Sequence, residues 1–144
     1  MRINVLIAVL SLCYLSLSAQ TDDKAAIIKV IEDEHRFFCE KNFEKMAMTF
    51  DQTENLLWGD GIEWSIKGWE TIAKGFQDYF ANDPEPIEPD IFYNYDITIG
   101  NDRAIAVFDH KKKDKDKSTA KGVRILVKRD GAWKITALSF LGLQ

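Results

Sequence analysis

From Ile91 to the C-terminus the chain is written in a period of two. Ile91, Tyr93, Tyr95, Ile97 and Ile99 alternate with Phe92, Asn94, Asp96 and Thr98, the spacing that sends successive side chains to opposite faces of a strand. Gly100-Asn101-Asp102 turns the chain. Arg103 to His110 is apolar at both parities, as a central strand is. Lys111 to Lys117 alternates in charge and reads as a solvated hairpin tip. Ala120 to Arg129 is a third strand, Asp130-Gly131 is a hairpin signal, and Ala132 to Phe140 is a fourth. Four long antiparallel strands need another layer to cover their apolar face.

The preceding residues supply that layer. Ile27, Ile28, Ile31, Phe38 and Phe43 recur at helical spacing, with Thr21, Asp22 and Asp23 as capping groups, so a first helix is expected from Asp22 or Asp23 to Asn42. A short helix over Phe43 to Phe50 follows. Glu54 to Trp58 and Ile62 to Ile66 read as short strands around the turn Gly59-Asp60-Gly61. Lys67-Gly68 leads into a third helix. It carries Trp69, Ile72, Ala73, Phe76, Tyr79 and Phe80 on one face and ends at Asn82-Asp83-Pro84. The expected class is α+β: a curved antiparallel sheet wrapped around three N-terminal helices.

The N-terminus has one early positive charge, an apolar run from Val5 to Leu17, and small residues at Ser16, Ser18 and Ala19. That is the pattern of a signal peptide, and the run is short for a membrane-spanning helix. Residues 1–19 are therefore expected to be a signal, cleaved near Ala19, and residues 20–144 one domain. The expected location is periplasmic or secreted, with no stable membrane insertion after cleavage. Loss of Cys13 leaves Cys39 alone, so no intramolecular disulfide is available. The formal net charge is −4 with both signs mixed, which argues against a nucleic-acid footprint.

Three stretches carry a family resemblance. They are Ile27 to Phe43 running into Asn42-Phe43-Glu44-Lys45-Met46, Gly59-Asp60-Gly61 followed by Ile66-Lys67-Gly68 and Trp69, and the ending Val127-Lys128-Arg129-Asp130-Gly131-Ala132-Trp133-Lys134-Ile135. Together they resemble the nuclear transport factor 2-like superfamily, and within it the small polyketide-cyclase-like (SnoaL-like) domains. The resemblance implies a cone-shaped, cystatin-like roll enclosing one pocket. It also implies a range of roles, from isomerases, dehydratases and cyclases to ligand binders and dimerisation modules. Many relatives carry histidines on the last strand, where this chain has Ala137 and Ser139.

The candidate site residues follow. His35 lies on the inward stripe of the first helix and has a pKa suited to acid–base work. Asp109 and Tyr95 on the sheet are its candidate catalytic partners. Arg124 shares strand parity with Leu126, and an internal pair with Asp109 would let it orient an anion. Asp60 and Glu63 sit where the isomerase members place a carboxylate. Trp58, Trp64, Trp69 and Tyr79, together with His35, Tyr95 and Arg124, are the expected pocket lining for a small, mainly apolar ligand. Two histidines are too few for a histidine-based metal site, and no cofactor motif occurs. The expected activity is ligand binding. Acid–base catalysis is the alternative, and homodimerisation through the outer face of the sheet is a further one. On this reading His35→Ala perturbs binding more than folding.

Overall fold

A computed structural model describes the backbone of residues 3–60, 63–115, 117 and 120–142, with side chains from residue 21 onward except those of 60 and 63–65. The elements are α1 (Ile3–Cys39), α2 (Phe43–Ala47), β1 (Leu57–Asp60), β2 (Glu63–Lys67), α3 (Trp69–Asn82), β3 (Ile91–Ile99), β4 (Arg103–Lys111), β5 (Ala120–Arg129) and β6 (Ala132–Gly142). The fold is the expected α+β arrangement with shifted bounds in its N-terminal half: α2 stops at Ala47 and not Phe50, and β2 is Glu63–Lys67 and not Ile62–Ile66. The first strand runs over Leu57–Asp60 and not Glu54–Trp58. The first helix starts at Ile3 and not near Asp22.

The early start has a simple cause. No glycine or proline interrupts residues 1–40, so nothing separates the apolar run from the amphipathic segment. Asp23 consequently lies inside a helix and caps nothing. Its carboxylate accepts from Trp133 Nε1 at 2.8 Å and Lys128 Nζ at 2.6 Å, which ties α1 to the last hairpin. The Lys128 and Trp133 bonds hold its pKa below the usual carboxylate range.

The helix ends in a Schellman arrangement. Asn42 N–H donates to Phe37 C=O at 2.9 Å and Lys41 N–H to Phe38 C=O at 3.0 Å, with Lys41 in the left-handed region at φ 57°. Glycine is the usual residue there. Lys41 is held by its ammonium, which lies 4.1 Å from the Tyr79 ring centroid and 3.3 Å from Asp83. Asn42 then caps α2, accepting from Lys45 N–H at 3.1 Å.

The six strands form one sheet in the order β2-β1-β6-β5-β4-β3. β1 runs parallel to β6 and the other pairs are antiparallel. On β4, Ala104, Ala106 and Phe108 are buried, so one parity faces the helices, while Ile105 on the other is 49% exposed. Asp109 shares the parity of Ile105 and lies on the outer face.

β3 does not keep the single alternation expected of it. Asn94 takes φ 53°, and the pairing with β4 shifts between Tyr93 and Asp96. This bulge turns Phe92 inward at one end and Tyr95, Ile97 and Ile99 inward at the other. A second bulge lies between Ile125 and Leu126 of β5, opposite Thr136.

The core between helices and sheet holds Ile27, Ile31, Met46, Phe50, Leu56, Ile72, Phe76, Phe108, Leu126, Ile135 and Leu138. Each large apolar side chain buried there contributes about 1.5–3 kcal/mol. Gly122 makes room for Phe108: a Cβ at position 122 would lie 2.2 Å from Phe108 Cε2.

Arg124 is the largest fully buried side chain, with 0% exposure. Its Nη2 donates to Glu34 Oε2 on α1 at 3.1 Å, and its Nη1 donates to the carbonyls of Val123 at 3.1 Å and Ser139 at 3.3 Å. The guanidinium carbon sits 4.5 Å from the Phe140 ring centroid and 5.5 Å from that of Phe108. The partner is therefore Glu34 and not Asp109.

Two stability measurements check this reading. Gly122→Ala overpacks the Phe108 ring and lowers the urea-unfolding free energy by about 1–3 kcal/mol. Glu34→Leu and Arg124→Met each cost about 3–5 kcal/mol, because each leaves one buried charge unpaired, and the double variant recovers most of that loss.

Candidate functional site

The most apolar of the concavities is a cleft of about 380 Å³ between α3 and the first strand pair. α3 supplies Thr71, Ile72, Gly75, Phe76 and Tyr79, and Phe38 of α1, Trp58 of β1 and Ile66 of β2 complete the lining. It is open on one side. Trp58 meets Phe76 edge-on, centroids 4.7 Å apart, and Phe38 stacks parallel to Tyr79 at 5.6 Å.

The polar groups at the cleft are few. Thr71 brings a hydroxyl. The Tyr79 hydroxyl donates to Asp83 Oδ2 at 3.2 Å. Among the described residues the lining holds no carboxylate, imidazole or ammonium. Gly75 stands in mid-helix, where glycine costs about 1 kcal/mol relative to alanine. Apart from its chain neighbours and the helix's own backbone, no atom lies within 4 Å of where its Cβ would be, and Gly75 is exposed, so that space is open at the cleft.

The sequence-predicted lining residues fall into two groups. Trp58 and Tyr79 are at the cleft. His35, Tyr95 and Arg124 lie deeper, around Phe92 and Phe108, between α1 and the strands. Trp69 belongs to neither: it packs on Phe43 at 6.1 Å and Phe50 at 5.8 Å at the start of α3. The side chains of Trp64, Asp60 and Glu63 lie outside the described residues.

His35 is occupied. Its Nε2 accepts from the Asp90 backbone N–H at 2.9 Å, its ring packs on Phe92 at 4.5 Å, and Cys39 Sγ lies 3.6 Å from Nε2. Accepting a backbone N–H requires that Nε2 be unprotonated. Burial lowers the pKa of this imidazole, against the opposing pull of Glu34 and Asp90. Burial also pushes the Cys39 thiol up to about 11, which makes it an inert, protonated group. This gives His35→Ala a structural consequence, the loss of the tie to Asp90.

Tyr95 donates to Glu32 Oε1 at 3.3 Å, and burial raises its phenol well above the ordinary value. Asp109 accepts from Lys121 Nζ at 2.6 Å and Asn94 Nδ2 at 2.9 Å, bonds that hold its carboxyl below the usual range. His35 and Asp109 thus face opposite sides of the sheet and share no space. Sequence reasoning did not single out Glu34 or Asp90. Glu34 falls on the apolar stripe of α1, three residues after Ile31 and four before Phe38, and its role shows only once its partner on β5 is known. Asp90 sits in a proline-rich connection with no periodicity to reveal its direction.

The profile of the SnoaL-like domain family matches residues 27–140. No curated protein matches the chain. Several solved structures share the fold. A nuclear transport factor 2-like protein of unknown function from Shewanella oneidensis MR-1 is 19% identical, with a TM-score of 0.63, over 83% of this chain and 98% of that one. A protein of unknown function with a cystatin-like fold from Nostoc punctiforme PCC 73102 is 16% identical, with a TM-score of 0.63, over 84% and 91%. A provisionally assigned aromatic ring hydroxylase from Novosphingobium aromaticivorans is 16% identical, with a TM-score of 0.66, over 86% and 91%. At these identities the likeness establishes the fold alone. With a matching profile over 114 of its residues (27 to 140 inclusive) and this architecture, the chain belongs to the SnoaL-like domain family of nuclear transport factor 2-like folds.

Proposed function

We propose that the chain is an exported ligand-binding domain whose cleft between α3 and the β1–β2 pair takes a small, flat, uncharged and mainly apolar molecule. The cleft's composition supports this most directly. About 380 Å³ falls within the size of small-molecule sites, and the lining is aromatic and aliphatic with two hydroxyls. Among its described residues the cleft offers a charged ligand no counter-charge. Export rests on the N-terminal pattern.

Binding is favoured over acid–base catalysis because such catalysis needs two titratable groups converging on one vacant volume. Of the described cleft residues only Tyr79 titrates, and its hydroxyl is already bonded to Asp83. A second reading, homodimerisation through the outer face of the sheet, is favoured by one observation. Ile105 is 49% exposed, and Val107, Val123 and Ile125 share that face half-buried.

The cleft is tested by filling it. Gly75→Leu keeps the helix and places a side chain in open space. It is expected to weaken binding of a neutral polycyclic aromatic probe, read by Trp58 fluorescence quenching, by at least about tenfold with no loss of thermal stability. Unchanged binding in a folded Gly75→Leu variant overturns the assignment. For the dimer, Ile105→Lys is expected to convert a sedimenting dimer to monomer, and a monomeric unmodified chain refutes that reading.

A further inference from the structure

The chain has two histidines, and both grip the same residue. Asp90 closes the proline-rich strap, residues 83–90, that joins α3 to β3. Its backbone N–H donates to His35 Nε2 on α1 at 2.9 Å. Its carboxylate oxygen Oδ2 lies 2.6 Å from His110 Nε2 on β4. A carboxylate only accepts, so His110 Nε2 is the donor there. The two imidazoles thus play opposite roles: one must lack a proton on Nε2 and the other must carry one.

We propose that His35 and His110 form an acid-released latch on the strap. Protonated His35 has no lone pair on Nε2 to offer the Asp90 N–H. The His110 bond is made by an Nε2 that already carries its proton, so it does not depend on that change. Acid therefore frees Asp90 from α1 while it stays bonded to β4, and Asp90 swings on the His110 bond. The strap's other tie to α1, Ile87 N–H to Cys39 C=O at 3.0 Å, sets the far end of the moving piece.

A groove of about 340 Å³ already lies between α1 and Pro89 to Phe92 with the latch closed, and release of Asp90 widens it. Its inner wall is Phe92, behind which lie Phe108 at 4.6 Å and Phe140 at 6.2 Å. Release exposes this aromatic interior to solvent or to an apolar ligand.

The charged groups around His35 come from each element packed on it. Glu34 on α1 and Asp90 on the strap favour the proton. Arg124 on β5 and His110 on β4 oppose it, and burial outweighs the rest. Glu32, Asp33 and Arg36 line the outer groove. A lowered folded-state pKa means that the tie is complete above the ordinary imidazole value, near 6.5, and is lost as pH falls below it.

Amide hydrogen exchange on the full chain tests the latch. The Asp90 amide, corrected for its intrinsic rate, is compared with the Ile135 amide, which donates to Thr49 C=O at 2.9 Å. Above about pH 6.5 the Asp90 protection is expected to hold, and below it to fall by up to roughly tenfold per pH unit while Ile135 keeps its own. In the unmodified chain the His35 ring nitrogens must titrate with the same midpoint. His35→Gln supplies an acceptor oxygen that does not titrate, and it is expected to hold Asp90 protected throughout. Constant protection of Asp90, a His35 midpoint that differs from its opening, or loss at Asp90 and Ile135 together would each overturn the proposal. The same acid loss in His35→Gln would also overturn it.

Discussion

The ion pair between Arg124 and Glu34 decides what the inside of this molecule can be. An arginine with no exposed surface must be neutralised and hydrogen-bonded, since an unpaired charge in that medium costs far more than the domain's net stability. Here the carboxylate comes from the helical layer and two carbonyls come from the sheet, so the pair also fixes α1 against β5 and β6. Phe108 and Phe140 flank the guanidinium and Gly122 accommodates Phe108. The volume that a cone of this kind would leave open is filled at this level by charge and aromatic rings. An apolar cleft lies beside α3, where the exposed Gly75 adds no side chain.

Much of this was readable from residue spacing. The alternation along β4, the Asp130-Gly131 hairpin and the apolar faces of the helices each rest on a local rule, and each reappears in the structure. Asp109 shows how far such a rule reaches. Its parity with Ile105 was legible, but which parity faces the helices depends on packing between distant segments. The bulge at Asn94 was not legible, because an inserted residue leaves the alternation of letters intact while reversing its meaning. Glu34 and Asp90 escaped for a related reason. The role of such a polar residue shows only once its partner, 90 residues away for Glu34 and 55 for Asp90, is known.

The histidines show how the same residue type divides between chemistry and structure. An imidazole near neutral pH is the natural general base, and a chain with two of them invites that reading. Here both nitrogens facing Asp90 are engaged, one as acceptor and one as donor. The aromatic cleft is left with hydroxyls as its polar groups, which suits recognition of shape better than proton transfer.

Lys41 carries a consequence for selectivity. Its ammonium lies over Tyr79, with Phe38 and Phe80 also within 6 Å of it, an arrangement resembling the boxes that recognise quaternary amines. The box is occupied by the chain itself. Lys41 is three residues from Phe38, so its effective concentration there far exceeds that of any dissolved cation. A cationic visitor to the rim of the cleft competes with a tethered copy of its own charge. If the cleft binds a small molecule as proposed, Lys41 biases it toward neutral ones by occupying this site itself.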